Sequence, residues 1–597
     1  MLLWGLLSAE PRRKPGKGGK TVNDATHRPW LAAYGKDIAP HLPASAHPSL
    51  AALVEETCTT FAKRRAFTCV VPNGMNGTLR FAQLATMSDA FASFLRHHCG
   101  LERGARVAVQ MPNGLAYPVA AFGVFKAGGV LVNTNPLYTP SEMIHQFNDS
   151  GAEVLVICDM FADKLAEVIP QTSIRHVVLA GVPEFFPRIP ETIVRGVQNV
   201  WTRSLPPVPK LDVPVLRIRE ALRIGRGLPK VTDWDQTGPD DLALLQYTGG
   251  TTGVAKGAML THGNILANLE QVKAMGGQHM NGDDCVLTAL PLYHIFAFTA
   301  NLMTFFALGA RNILVPSPRP VQNIQRALEN YPVTWVTGVN TLFNGLMNEE
   351  WFAAFPPKSL KAAIAGGTAL HHAVAERWQK ITGTRVAEGY GLTETAPLVS
   401  FNPLEQPVRI GSIGVPVPGT DIALVDDKAE PVAQGEPGEL LVKGPQVMRG
   451  YWQRPDETEK TIQNGWLFTG DVAVMDEDGF LTIVDRKKDM VLVSGFNVYP
   501  NEVEDCLAKL DTVLEAAVIG IPDKASGEAV RAYVVQNPDV PGEVTKEDVI
   551  AHCRKHLAAY KVPKSVIIRD DLPKSPIGKI LRKDLKAEAR AEFAKGG

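Results

Sequence analysis

The sequence predicts an α/β fold made of one large, multi-subdomain N-terminal unit and a small α+β C-terminal unit. Three observations lead there. The chain has 597 residues, too many for one simple core, so two or more domains are expected. Short β-rich apolar runs alternate with amphipathic helical runs, the rhythm of a parallel sheet layered with helices. Beyond Asp485 the chain turns lysine-rich, and a compact α+β pattern restarts.

Taken in order, "ARVAVQM", "VLVN" and "EVLVI" read as buried strands between Ala105 and Ile157. The runs "AYPVAAFGVFKAGG" and "PSEMIHQFNDSG" between them read as helices. The same rhythm returns at "RNILVP", "VQNIQRALENYP" and "VTWVTG". Between Pro183 and Pro207, Phe185, Phe186, Ile189, Val194 and Trp201 mix with Arg188, Arg195 and Arg203. That composition suits either a helix packed on its own domain or one resting on an anionic bilayer. In the last part, "NEVEDCLAKL" and "KEDVIAHCRKHL" read as helices, "VLEAAVIGIP" and "AVRAYVV" as strands. The domain boundary is placed near Lys488, dividing 29–487 from 488–597. Residues 1–28 carry a short apolar start followed by a basic cluster, the reverse of a signal peptide, and read as a disordered extension.

Composition narrows the class. Hydrophobic residues make up 45% and charged residues 21%, with a net charge of −1. No global field argues for nucleic acid. The seven cysteines lack C-x-x-C or zinc spacing and read as free core thiols in a reducing cytoplasm. The histidines show no H-E-x-x-H pattern, which disfavours a metal-dependent hydrolase. No apolar run is long enough to be a transmembrane helix.

The chemistry concentrates in Tyr247-Thr248-Gly249-Gly250-Thr251-Thr252-Gly253-Val254-Ala255-Lys256-Gly257. Glycines let backbone N–H groups approach an anion closely, threonines add hydroxyl donors, and Lys256 adds a mobile charge. A nucleoside triphosphate is the expected guest. The run is not a Walker A loop: Ala255 replaces the second glycine and Gly257 the hydroxyl residue that would hold magnesium. A carboxylate elsewhere must hold that ion. Glu388-Gly389-Tyr390-Gly391-Leu392-Thr393-Glu394-Thr395 offers one. Its Tyr390 ring can lie against a purine, Thr393 can reach phosphate, and Glu394 is a hard oxygen ligand.

Further motifs follow: Leu290-Pro291-Leu292-Tyr293-His294, Ala365-Gly366-Gly367, Gly438-Glu439-Leu440 and Thr469-Gly470-Asp471. After them come Asp485-Arg486-Lys487-Lys488-Asp489, Ser494-Gly495-Phe496-Asn497-Val498-Tyr499-Pro500 and Pro573-Lys574-Ser575-Pro576-Ile577-Gly578-Lys579. In this order they make the chain resemble the adenylate-forming superfamily of acyl-CoA synthetases, luciferases and peptide-synthetase adenylation domains. The resemblance runs from about Trp30 to about Leu585. Among subfamilies, the bacterial long-chain fatty-acid–CoA ligases are the most similar, especially in "GFNVYPNEVED" and "LPLYHIFAFT".

The resemblance implies a two-step reaction. A carboxylate attacks the α-phosphate of ATP, giving an acyl-adenylate and diphosphate; the thiol of coenzyme A then displaces AMP. It implies that Thr248, Gly249, Gly250, Thr251, Thr252, Gly253 and Lys256 cradle the phosphates and that Glu394 holds Mg²⁺. Gly366, Gly367, Glu388, Gly389, Tyr390, Gly391 and Thr393 would surround the nucleotide, with Asp471 on the ribose hydroxyls and Arg486 beside it. Lys579 would be the catalytic cation, working with Lys256, Thr248 and Glu394. Lys488 would be the hinge of a mobile C-terminal domain, and Ser494, Gly495, Phe496 and Asn497 would line a tunnel for the pantetheine arm. Thr368 departs from the many relatives that have a third glycine there, and its side chain is expected to narrow the adjoining pocket.

The window from Pro291 to Asn340 is expected to line the acyl pocket, with His294, Phe296, Val339 and Leu392 as its wall. Its one carboxylate is Glu329, whereas an amino-acid substrate needs a buried acid for its ammonium group. A long apolar tail fits better. His294 is not expected to be a general base, because the attacking carboxylate is already ionised at neutral pH. The expected partners are a long-chain fatty acid, ATP and coenzyme A, without nucleic acid. The expected location is cytoplasmic, with peripheral contact at the inner face of the membrane; the sequence also allows a homodimer. An aryl- or medium-chain acyl-CoA ligase, or an inactive acyl- or nucleotide-binding sensor, are the rival readings.

Overall fold

The computed structural model describes residues 28–36, 38–248, 255–404, 407–494, 496–523, 526–538, 540–576 and 578–595. The phosphate-loop residues Gly249–Gly253, the CoA-loop residue Gly495 and all but the last residue of the 1–28 extension lie outside them.

Two large sheets form the N-terminal unit. The first has seven strands, ordered Val215–Arg217, His176–Ala180, Ala152–Cys158, Arg106–Gln110, Val130–Asn133, Leu242–Thr248 and Lys256–Thr261. All neighbours run parallel except the last pair. The second has nine strands and a parallel centre; its antiparallel edges include Val386–Gly391 against Leu398–Phe401. Strands covered on both faces read as unbroken apolar runs, and Val107, Ala108, Val109, Leu131 and Val132 are fully buried. The expected strands and helices appear where the sequence placed them. The helix Pro140–Ser150, for instance, begins at a Thr139–Glu142 capping box and ends at the left-handed Gly151, the start and stop its sequence encodes.

Buried polar side chains tie the two sheets together. Asn113 donates to the carbonyls of Thr288 and Leu290 at 3.0 and 2.9 Å and accepts from the Leu292 N–H at 2.8 Å. Gln246 donates to the Tyr293 carbonyl at 2.9 Å. The stretch Leu290–His294 is thereby pinned between the sheets, since leaving any of these groups unpaired in the core costs about 1–3 kcal/mol.

A five-stranded antiparallel sheet follows, in which Trp466–Met475 pairs with Leu481–Arg486. The next strand, Val491–Val493, belongs to the C-terminal sheet with Phe496–Val498, Gly527–Gln536, Val513–Asp523 and Ser565–Arg569. Arg582 clamps this crossing. Its guanidinium lies 2.6 Å from Glu504, 2.5 Å from Asn501 and 3.3 Å from Asp485. Burial pushes the Asp485 carboxyl up to about 6, against the pull of Arg582. His371 meets Asp505 at 2.7 Å across the same interface. All seven cysteines are buried and unbridged. Among the described residues, no helix is long and apolar enough to cross a membrane.

Gly225 shows how closely the helices pack. A Cβ there would sit 1.8 Å from the Ala90 carbonyl oxygen, where the helix Ile218–Arg226 crosses Phe81–Ser93. Gly225→Ala is expected to destabilise the N-terminal unit by about 1–3 kcal/mol, read as a lower thermal unfolding midpoint.

Candidate active site

The strand register builds the centre of the site. Asp471 and Arg486 are direct partners across the antiparallel pair, with Arg486 Nε 3.1 Å from Asp471 Oδ1. The Tyr390 hydroxyl donates to Asp471 Oδ2 at 2.6 Å. The Asp471 carboxylate is only 4% exposed, so two donors, one charged, compensate for its burial. Three residues singled out separately in the sequence thus form one cluster. An open cleft of about 270 Å³ adjoins it, lined by Thr469, Gly470, Asp471, Arg486, Lys487 and Lys488. Burial and the neighbouring Arg486 hold the Lys488 amine below its ordinary range.

Lys579 reaches this cluster from the C-terminal unit. Its loop is a tight turn: the Gly578 N–H donates to the Ser575 carbonyl at 2.8 Å, and the Lys579 N–H to Ser575 Oγ at 3.1 Å. Gly578 has φ +92°, and a Cβ there would lie 2.7 Å from the Arg319 guanidinium and 2.8 Å from Thr341 Oγ1. Only glycine satisfies both the backbone angle and the gap. Enclosure by protein, then the charge of Arg486, push the Lys579 amine down to about 7, partly offset by Asp471. Burial, then Lys579, push the His294 imidazole down to about 4. His294 is therefore neutral near pH 7.

At the phosphate-loop end, Thr248 and Lys256 pair across the strands that flank the loop. Lys256 Nζ lies 2.7 Å from Glu457 and 4.6 Å above the Tyr451 ring. The Tyr451 hydroxyl donates to Glu394 Oε1 at 2.6 Å. Lys256 and Glu394 are thus joined through Tyr451 and Glu457, which the motif reading did not select. The signal was present in Gly450-Tyr451-Trp452-Gln453-Arg454-Pro455, an aromatic pair ahead of a proline-led helix. Backbone bonds from Met259 to Gly450 (2.9 Å), Trp452 to Gly257 (2.8 Å) and Met448 to Glu394 (2.8 Å) lace this segment to the site.

The glycine motifs meet in the nine-stranded sheet. A Cβ on Gly366 would lie 3.2 Å from both the Gly389 carbonyl and the Phe296 ring. Glu388 is buried, and its carboxylate accepts the Leu370 N–H at 3.0 Å, pinning the loop after Gly367. Burial pushes that carboxyl up to about 8. The Thr368 hydroxyl oxygen is buried without a partner among the described residues, so the departure from glycine adds an unused hydrogen-bonding group.

An apolar cavity of about 40 Å³ lies behind Phe296, lined also by Val272, Met275, Met280, Ala300 and Leu398. Of the expected wall residues, Phe296 lines it. His294 faces Lys579 electrostatically, and Val339 sits under Gly578. The Leu392 N–H bonds Pro397 and Thr395 at the turn carrying Thr393 and Glu394. Nine of the eleven lining residues lie outside the 291–340 window, five of them on the helix His262–Gly276 and the strand Leu398–Phe401. Glu329 is on the surface, paired with Arg326. Ser494, Phe496 and Asn497 stand apart from the cluster: Ser494 bonds Ser526, Phe496 stacks on Tyr560, and Asn497 pairs with Leu492.

One fitting test concerns Mg²⁺. Among the described residues no group of three or more His, Cys, Asp or Glu side chains is placed to hold a metal. Mg²⁺ commonly uses one or two carboxylates, with substrate phosphates and water completing its shell. Glu394, at the edge of the phosphate-loop strands, fits that donor set.

Fold and cleft together define a two-part α/β enzyme of the nucleotide-binding kind. The chain belongs to the AMP-binding enzyme family: the family's profile matches residues 54–452 and its C-terminal domain profile residues 502–579. It is 50% identical over 565 residues to the long-chain-fatty-acid–CoA ligase of Salmonella typhimurium, covering 94% of this chain and 98% of the relative. A protein of the same name from Haemophilus influenzae is 43% identical over 571 residues, covering 95% and 99%. The crystal structure of the anthranilate CoA ligase AuaEII in complex with anthranoyl-AMP superposes with a TM-score of 0.81 at 25% identity, covering 93% and 99% of the chains.

The depressed Lys579 amine has a measurable consequence. About one unit above pH 7 the amine is mostly neutral; a phosphate bound beside it would restore its charge, so ATP binding there should take up close to one proton. Below about pH 6 the uptake should vanish. Calorimetry in buffers of different ionisation enthalpy measures it; the same uptake in Lys579→Met would detach Lys579 from the nucleotide.

Proposed function

We propose that this protein is an AMP-forming long-chain fatty-acid–CoA ligase, converting ATP, a long-chain fatty acid and coenzyme A to AMP, diphosphate and acyl-CoA. The observation that carries the reading is the cluster of Asp471, Arg486 and Tyr390 beside a cleft, with Lys579 within electrostatic reach, in a chain half identical to ligases of that name. In the first step a carboxylate approaches a polyanion, so the work lies in positioning and charge neutralisation. Asp471 accepts the ribose hydroxyls, and Tyr390 and the Gly366–Gly367 turn face the base. Lys256 and the 249–253 loop hold the β- and γ-phosphates. Lys579 regains its proton beside phosphate and neutralises the charge that builds on the α-phosphoryl oxygens. Glu394 would hold Mg²⁺, which screens the phosphates when bound. Neutral His294 leaves the already ionised carboxylate unopposed.

The tail of the acid would enter the cavity behind Phe296. Ser494, Phe496 and Asn497 are held by Ser526, Tyr560 and Leu492; for them to line a thiol path in the second step, the C-terminal unit would have to turn. The crossing between Arg486 and Val491, with Lys488 at its centre, is the proposed hinge. A substrate that partitions into bilayers also favours work at the inner face of the membrane, from the cytoplasm.

Two experiments test the proposal. AMP release across saturated acids of increasing length, with benzoate and coumarate alongside, should peak among long chains; an aryl preference would overturn the substrate. Lys579→Ala should cut adenylate formation by about 100-fold or more and spare thioester formation from supplied acyl-AMP. Equal loss in both half-reactions would remove Lys579 from its role.

Cavity shape supplies a third. Ala300→Phe places a ring in the apolar cavity and should move the optimum to shorter acids. Each lost methylene contact weakens the longer acids about fourfold, from about 0.8 kcal/mol per buried CH₂. An unchanged length profile would place the tail elsewhere.

A further inference from the structure

The crossover from strand His176–Ala180 to strand Val215–Arg217 carries a helix whose outward face is apolar. It runs as Arg188–Gly196 and continues without a break through Val197–Trp201. Its inner face is fixed to the protein. Val194 is buried, Arg195 pairs with Asp159 at 3.1 Å and with Glu184 at 2.9 Å, and Gln198 meets the Met160 sulfur. Glu191 also faces inward, held by Arg219 at 2.6 Å.

The outer face is the opposite of what solvent selects. Ile189, Val200 and Trp201 are 74%, 75% and 86% exposed, with Ile193 and Val197 also exposed between them. The spacing 189, 193, 197, 200 keeps these side chains on one stripe. Half of the twelve exposed large hydrophobics among the described residues lie between Ile189 and Val208, so this is a concentrated patch rather than the usual scatter.

Charge says what covers it. Arg188, Arg203 and Lys210 flank the stripe, exposed and without an ion pair among the described residues. Of the two carboxylates in this stretch, Glu191 is turned inward and Asp212 is exposed beyond Lys210. A convex helix face with aliphatic side chains, a terminal tryptophan and cationic flanks needs a deformable partner that is apolar below and anionic above. A bilayer surface with anionic lipids has that layering.

We propose that the helix 188–201 is the membrane-docking surface of this protein, seating Ile189, Val200 and Trp201 at the acyl boundary and Arg188 and Arg203 among anionic headgroups. The inference deepens the proposed activity, which supplies the reason to visit a bilayer; the contact itself rests on the helix.

The test uses the full chain and sedimentation with phosphatidylcholine vesicles, with and without phosphatidylglycerol. Binding should be stronger to the anionic vesicles and weaken with added salt. The triple variant Ile189→Ser, Val200→Ser, Trp201→Ser should lose at least about tenfold in vesicle partition while keeping its thermal unfolding midpoint. Arg188→Glu with Arg203→Glu should abolish the preference for phosphatidylglycerol. No vesicle binding by the natural protein, or equal binding by the triple variant, would overturn the proposal. So would a concentration-dependent dimer that the triple variant abolishes without any change in vesicle partition, which would make this face a contact between copies. AMP release from detergent-dispersed fatty acid, without vesicles, reads the ligase activity separately. Its loss in the natural protein would sink the ligase reading and leave the docking result standing.

Discussion

The contact between buried Asp471 and half-buried Arg486 is the one from which the rest of the site is referenced. Two antiparallel strands set the residues opposite each other, and Tyr390 closes the third side. Removing one partner of such a pair strands a charge in the protein, which makes the arrangement hard to relax. Arg486 also ends the last strand of the N-terminal unit. The chain leaves for the C-terminal sheet directly from this pair, so the placement of Lys579 depends on it in turn.

Positive charge is crowded here. Arg486 and Lys488 line one cleft, and Lys579 lies within electrostatic reach of both; burial first, then Arg486, depresses the Lys488 and Lys579 amines. A polyanion beside these two amines would restore their charge. Such preorganisation favours the proposed chemistry, since fixed charges need little rearrangement as negative charge moves on the phosphoryl group.

Much of this was legible in the chain. The parallel strands announce themselves as short unbroken apolar runs, and capping residues mark helices such as Pro140–Ser150. Asp471, Arg486 and Tyr390 were singled out in three separate motifs, and strand register brings them into one cluster. What could not be read was partnership across distance. Tyr451 and Glu457 lie about 200 residues from Lys256, and no local pattern couples them. The cavity behind Phe296 is assembled in the same way. Its lining draws on the helix His262–Gly276, the strand Leu398–Phe401 and single residues such as Met280 and Ile364, brought together by the fold, while the apolar window after His294 largely packs into the general core. Exposure is the other thing the sequence left open. Composition marked the stretch from Pro183 to Pro207 as suited to a packed helix or one resting on a bilayer, and only the tertiary structure shows which face of 188–201 looks outward.

The contact between Lys256 and Glu457 carries a thermodynamic consequence. The lysine already has an anionic neighbour at 2.7 Å before any ligand arrives. A ligand that takes over this charge competes with that neighbour, so where it displaces the carboxylate the net gain is a difference between two ion pairs rather than the whole of one. A ligand with a single, distant phosphate gains little from the exchange. One that presents two further phosphates to Lys256 gains more, because its charge exceeds that of the carboxylate. In the proposed role of Lys256, the carboxylate would then act as a reference against which nucleotides are weighed, steepening selection by phosphate number and re-partnering the lysine once the monophosphate leaves.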